Sequence, residues 1–321
     1  NGIEKGQSEQ VLSGLTGSSR TVASASLYRE TQRNQLIVTH NLFQAQKMYE
    51  DLVDLLGEEK VYLYPVNELI SAEIAVASPE MKAQRIDVLN RLVNGFSGII
   101  VVPLAGVRRL LPPKTVWAQY QLDVTVGTDV QELDSFISQL VSMGYRRTDM
   151  VSAPGEMSVR GGIIDLYPLT EEHPIRIELF DTEIDSLRYF SLETQRSEGQ
   201  LETIKIGPAE EVLLTSTHYS HAASVLEEQL NVTTKKIANK KTRESLQERI
   251  PFEIAQLKQG QPFEGMYKYM SFYYESPHTL LSYMSEHAVI WIDEMTRVKE
   301  MSENLIKEEA EWHTSMIEQG A

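Results

Sequence analysis

Cysteine is absent from the 321 residues, which excludes a disulfide framework and any cysteine-ligated metal site. That fits a reducing compartment, and the expected location is cytoplasmic. Long apolar runs are missing as well. None approaches the ~18 residues of a membrane span and no signal peptide opens the chain, so no membrane partner is expected. Positive charge is scarce: 30 Lys and Arg stand against 46 Asp and Glu, a net charge of −16. This opposes a general electrostatic grip on phosphate backbones, so a nucleic-acid role needs a local patch or a partner. The 7 histidines fall in no metal-ligand spacing. No internal repeat or low-complexity segment is evident.

What remains is an ordinary globular composition, 41% hydrophobic and 24% charged. The length exceeds that of one core, so more than one domain is expected. Residues 1–118 alternate strand and helix, the α/β signature. A strand at Val11-Leu12-Ser13 is expected ahead of the loop Gly14–Thr21, then a helix from Val22 to about Arg33. Leu36–His40, Val61–Tyr64 and Gly98–Val102 read as short buried strands. Between them lie a helix capped by Asn41, with Phe43, Met48, Leu52 and Leu55 on its apolar positions, and a helix over residues 79–94. Residues 119–206 are dominated by strand patterns and form a small α+β unit. Residues 207–321 are richer in helix, and about 280–321 are expected to fold back on the first segment. The Asn-Gly opening and the charged helical end read as those of a piece of a longer protein.

Gly14-Leu15-Thr16-Gly17-Ser18-Ser19-Arg20-Thr21 is close to a phosphate-cradling P-loop, GxxxxGK[ST]. Gly14 and the final hydroxyl, Thr21, are in place. Ser19 stands where the second glycine belongs, and Arg20 where the lysine belongs. Glycine lets the backbone curl around phosphate, and lysine is a compact charge that reaches it; a planar guanidinium is not equivalent. A dead P-loop kept as scaffold, a weak anion site at a helix N-terminus and a working NTPase all remain open at this point. Far along the chain, the apolar run Ala288–Ile292 ends in Asp293-Glu294. Helicase-type NTPases place a Mg²⁺-binding Asp and a water-activating Glu in this way. Two further features have bland and sharp readings. The cluster Lys235, Lys236, Lys240, Lys241 and Arg243 reads as a solvated face or a nucleic-acid contact. The aromatic run from Phe263 to Tyr274 reads as core or as a stacking platform.

Gly155–Phe190 reads as three strands joined by turns at Glu171–Pro174 and Asp181–Glu183, with a bulge or kink at Gly161-Gly162. In the middle strand Ile175, Ile177 and Leu179 point one way, and Arg176, Glu178 and Phe180 the other. In the strand before it, Met157 and Val159 oppose Ser158 and Arg160. An aromatic beside guanidinium groups on a wet sheet face is what a binding patch looks like. The alternative is that Phe180 packs under a loop and the arginines pair with nearby carboxylates.

The segments MSVRGGIIDLYP, PIRIELFDTEIDSLR and GLTGSSRT, with LYPVNELISAEIAVASPE, RRLLPP and SAPGEMS, resemble the N-terminal module of the bacterial transcription-repair coupling factors, Gram-positive type. The resemblance covers essentially the whole chain. That module is itself similar to domains 1a, 2 and 1b of the excision-repair protein UvrB. The implied fold is a degenerate P-loop, RecA/helicase-like α/β domain (1–118) with an inserted α+β UvrA-binding domain (119–206) and a helix-rich 1b-like subdomain (207–321). The resemblance implies that Arg160, Arg176 and Phe180 contact UvrA, with the arginines paired to its carboxylates. It implies no catalysis and no cofactor here, since ATP and Mg²⁺ would act in a translocase part beyond residue 321. Between Tyr64 and Arg85 the chain is too short and too poor in aromatics for the DNA-probing hairpin of UvrB. A C-terminal domain of the same protein is an implied intramolecular partner, and RNA polymerase and DNA are reached through other domains. The rival is an active ATP-dependent DNA helicase or damage-recognition subunit that binds DNA directly. A third option is a scaffold without a ligand.

Overall fold

The computed structural model describes residues 2, 6–67, 78–130, 132–261, 263 and 265–319. The Val11-Leu12-Ser13 strand is not formed: Val11 is 94% exposed and Leu12 57%. Two apolar residues among Gln, Ser and Gly cannot make a strand buried on both faces. Helix α1 (Ser19–Thr31) starts three residues earlier than expected and leads into β1 (Gln35–Thr39), all five residues of which are buried. Asn41 caps α2 (Leu42–Leu56) by accepting a hydrogen bond from the Gln44 N–H at 2.8 Å. Met48 and Leu52 are buried as expected, but Phe43 is 77% exposed and Leu55 37%. These two lie off the narrow stripe that faces the sheet. After β2 (Val61–Leu63), Ser78 and Pro79 open α3 (Pro79–Val93), which is followed by the fully buried β3 (Ile99–Pro103). Residues 68–77, part of the segment read as too short for a hairpin, lie outside the described residues.

Next come β4 (Leu122–Thr125), α4 (Leu133–Ser142) and β5 (Arg146–Arg147). The stretch 155–190 holds four strands rather than three: β6 (Glu156–Arg160), β7 (Ile163–Leu166), β8 (Ile175–Phe180) and β9 (Glu183–Phe190). Arg160 faces Ile163 across the β6–β7 pair, so Gly161-Gly162 is a two-residue hairpin turn and not a bulge. Gly161 takes the left-handed φ of 60° that such a turn requires. The register irregularity lies instead between β8 and β9, at Glu178/Leu179. An unforeseen strand, β10 (Ser197–Gln200), is exposed at all four residues and carries no apolar signal. Then comes β11 (Thr203–Ile206), which pairs with β4. The larger sheet has six strands in the order β10-β9-β8-β7-β6-β5. Its inner face packs on α4 in a core that includes Phe136, Leu140, Met157, Ile164, Ile177 and Leu187.

The remaining residues supply α5 (Ser216–Lys236), α6 (Lys240–Lys258), β12 (Val289–Ile292) and α7 (Met295–Gln319). Strand β12 returns to the first layer and pairs in parallel with β1, giving a four-stranded sheet in the order β12-β1-β3-β2. The chain is thus mixed α/β, with a parallel sheet flanked by helices. Among the described residues no helix is long and apolar enough to cross a membrane.

A buried charge cluster ties α3 to the chain that follows β11. Arg85 donates from Nε and Nη2 to the two oxygens of Glu211, each at 2.8 Å. Arg109 donates to the same carboxylate at 3.0 Å and lies 4.1 Å over the Tyr267 ring. Burial alone would push the Glu211 carboxyl up; Arg109 and Arg85 outweigh it and hold the group down to about 2.

Candidate docking surface

The register of β6 to β9 sorts the outer face of the larger sheet into rows. Arg160, Ile163, Glu178 and Ser186 are mutual neighbours in one row; Ser158, Asp165, Arg176 and Arg188 form the next. Cross-strand partners share a face, so the three arginines stand on the side opposite the core. Their surroundings differ. Arg176 donates from Nε and Nη2 to Asp165 at 2.6 and 2.9 Å, a bidentate pair, and its guanidinium lies 4.7 Å over the buried Phe190 ring. The Asp165 hydrogen bond, together with its charge, raises the Arg176 pKa against the opposing effect of burial. Arg188 is paired with Glu178, which also accepts from Ser186 at 2.8 Å. Arg160 is exposed and has no ion-pair partner among the described residues.

Phe180 is 77% exposed at the end of β8, and Ile163 is 38% exposed beside the Gly161-Gly162 turn. Of the two arginines in the alternative reading, Arg176 does pair with a nearby carboxylate and Arg160 does not, and among the described residues no loop covers Phe180. Ser158, expected on the wet face, is buried and donates to the Asp149 carbonyl at 2.8 Å, because the 146–149 segment closes over it. Asp165 and Ile163 escaped notice in the sequence. Alternation in β7 puts both on the outer face, but only once Gly161-Gly162 is read as a turn.

The loop Gly14–Thr21 and the pair Asp293-Glu294 meet across the parallel layer. Gly14 and Gly17 precede α1, whose first turn holds Ser19, Arg20 and Thr21. The Asp293 N–H donates to the Val38 carbonyl at 2.9 Å, extending the β12–β1 ladder. Arg20 Nη1 donates to both Asp293 oxygens, at 2.9 and 2.8 Å, and lies 3.6 Å from Glu294. Asp293 is 8% exposed; its burial raises the carboxyl pKa despite the opposing charge of Arg20. Glu294 holds a left-handed φ of 52°, an uncommon conformation for a side chain with a Cβ. Arg297 and His40 complete its surroundings at 3.4 and 3.9 Å.

The other candidates sit elsewhere. Lys235, Lys236, Lys240 and Lys241 are exposed where α5 hands over to α6. In the aromatic run, Tyr269, Tyr273 and Tyr274 are buried, and Phe263, Tyr267 and Phe272 pack against the same core. Those rings are core rather than a stacking platform. Among the described residues no group of three His, Asp or Glu could hold a metal ion.

This sheet and face first define a class. Residues 122–212 match the UvrB interaction domain family, and they span β4 to β11 with the whole outer face. The full-length comparison is more particular. A transcription-repair-coupling factor of Bacillus subtilis (strain 168) is 49% identical over 320 residues, which is 100% of this chain and 27% of that protein. The factor of Staphylococcus aureus (strain USA300) is 38% identical over 317 residues, 98% of this chain and 27% of the relative. That of Staphylococcus epidermidis (strain RP62A) is 37% identical over the same 98% and 27%. The chain spans 27% of the length of these curated relatives. Over its full length it resembles the UvrB-like N-terminal module of the Gram-positive transcription-repair coupling factor.

Proposed function

We propose that this chain is a non-catalytic module that recruits UvrA to sites of transcription-coupled repair. The observation that carries the reading is Phe180, a large aromatic exposed at the end of β8 on the sheet face that also bears Arg160 and Arg176, within the stretch that matches the UvrB interaction domain. An aromatic that loses its water on docking, on a face shared with arginines, is the usual composition of a hot spot. The whole protein would displace RNA polymerase stalled at a lesion, using ATP and Mg²⁺ and contacting DNA in parts outside this chain. Its C-terminal domain would cover the same face until UvrA is needed.

The first layer is read as a degenerate P-loop domain of RecA/helicase type (1–118), joined by a UvrA-binding domain (119–206) and a helix-rich domain (207–321), with residues from about 280 on returning to the first. Its residues do not fit a Mg²⁺-nucleotide. A helicase-type site needs the strand-end Asp free for the metal and a lysine free for phosphate. Here the Arg20 guanidinium holds both oxygens of Asp293, so the cation and the anion cancel each other. The open backbone of a second glycine is also missing at Ser19. Titrating the purified chain in turn with UvrA, ATP and duplex DNA tests the reading. Saturable binding to UvrA alone is the expected result. Nucleotide binding, or salt-dependent DNA binding through Lys235–Arg243 without UvrA affinity, would favour a helicase subunit instead.

A further inference from the structure

Both arginines of the docking reading look alike in sequence, and the structure makes them chemically different. Arg160 carries a charge that no described residue neutralises, at the exposed end of β6. The charge of Arg176 is already met by Asp165, which is 3% exposed, and its plane is fixed by that fork and by Phe190 beneath it. Its remaining terminal nitrogen, Nη1, donates to no acceptor among the described residues. Ile163 stands between Arg160 and Glu178 in one row, and the Leu179 N–H donates to the Gly162 carbonyl at 2.8 Å. The apolar surface of Ile163 is thereby kept beside the strand end that bears Phe180.

We infer that the docking face divides its work: Arg160 supplies the long-range attraction, Arg176 supplies one directed hydrogen bond as half of a neutral pair with Asp165, and Ile163 joins Phe180 in the apolar anchor. The inference rests on the reading that UvrA docks here. It specifies the complementary surface. A carboxylate belongs opposite Arg160, an apolar pocket opposite Phe180 and Ile163, and an uncharged acceptor such as a backbone carbonyl opposite Arg176. A second carboxylate against Arg176 would bury two anions around one cation, and desolvation makes that arrangement unfavourable. Charges at an interface rim govern association rate and salt dependence, whereas buried hydrogen-bonded groups govern dissociation. Asp165 is accordingly a positioning residue.

Association and dissociation rates of the chain with UvrA, measured from about 50 to about 500 mM NaCl, separate these roles. If the wild-type chain does not bind UvrA, the docking reading itself falls. Given binding, Arg160→Ala is expected to slow association several-fold at low salt and to flatten its salt dependence, with dissociation little changed. The double variant Asp165→Asn/Arg176→Ala, which removes both charges of the pair together, is expected to keep the wild-type salt dependence and to speed dissociation. Arg176→Lys, which keeps charge but loses the fork, should likewise keep the wild-type salt dependence and speed dissociation. Asp165→Asn frees a charge and should steepen the salt dependence, an effect that a merely structural residue would not produce. Ile163→Ala should speed dissociation without touching the salt dependence. The division is overturned if Asp165→Asn/Arg176→Ala flattens the salt dependence as much as Arg160→Ala does, or if Arg176→Lys binds like wild type. Circular dichroism checks that each variant is folded, and Arg160→Ala and Arg176→Lys decide the matter if the variants that carry Asp165→Asn do not fold.

Discussion

Phe180 shows 77% of its surface to solvent and contributes little to the core behind it. Phe180→Ala is therefore expected to change unfolding free energy by no more than about 0.5 kcal/mol. The same substitution should weaken UvrA binding by more than ~1 kcal/mol. Denaturant unfolding and titration calorimetry on one preparation check both halves. Asp293 behaves in the opposite sense. Its removal takes both hydrogen bonds from the half-buried Arg20 guanidinium and leaves it only Glu294 at 3.6 Å, so Asp293→Ala should cost about 1–3 kcal/mol of stability and bring no nucleotide binding. Thermal melts with and without ATP test this, and a melting temperature raised by ATP would count against it. Phe180 was legible in the sequence because β8 alternates without interruption through Ile175, Ile177 and Leu179. The partner of Arg176 was not. Asp165 lies eleven residues away in the chain and is brought opposite only by the register of β7 against β8.

At the scale of elements, strands with their own apolar signature were readable and those without it were not. The runs in β1 and β3 are buried along their whole length and announce themselves. The strand β10 is entirely exposed and owes its form to pairing with β9. Val11-Leu12 gave a false signal, since an apolar pair needs neighbours to become a strand. The Gly161-Gly162 turn was seen as a local oddity, but its role depends on how β7 and β8 pack beyond it. A Cβ on Gly162 would lie 2.8 Å from the Leu179 carbonyl oxygen, closer than real contacts allow. Gly162→Ala should thus push β7 and β8 apart at the docking face and destabilise by about 1–3 kcal/mol. Hydrogen exchange would show the loss first at the Leu179 amide, which donates across this turn.

For the whole molecule, the joint that matters is Glu211 between Arg85 and Arg109. None of the three drew attention in the sequence, because a buried ion cluster has no local pattern; Glu211 lies more than a hundred residues from either arginine. Removing the carboxylate would leave the buried Arg85 guanidinium with its charge unmet among the described residues and take one acceptor from Arg109, and Glu211→Ala should cost about 3–5 kcal/mol. The pH dependence has a definite sign. The Glu211 carboxyl sits at about 2 in the folded chain against an ordinary 4.5, so its contribution is complete above 4.5 and fades as pH falls toward 2. Glu156 is also lowered to about 2: burial raises it, and hydrogen bonds from Ser152, Arg146 and Ala153 more than reverse that. Glu211→Gln should flatten acid unfolding in this window in part, leaving the share that belongs to Glu156. Equilibrium unfolding from pH 5 downward measures both.

The pairing of β1 with β12 has a consequence for biosynthesis. Roughly 250 residues separate the two strands. At about 5–20 residues per second, a ribosome needs about 10–50 s to deliver the second after the first. Through that interval the nascent chain carries a parallel sheet with one open apolar flank. Meanwhile the six-stranded unit, complete by residue 206, is free to fold earlier. The outer face of that sheet would then be finished, with Phe180 exposed on it, before the parallel layer has closed.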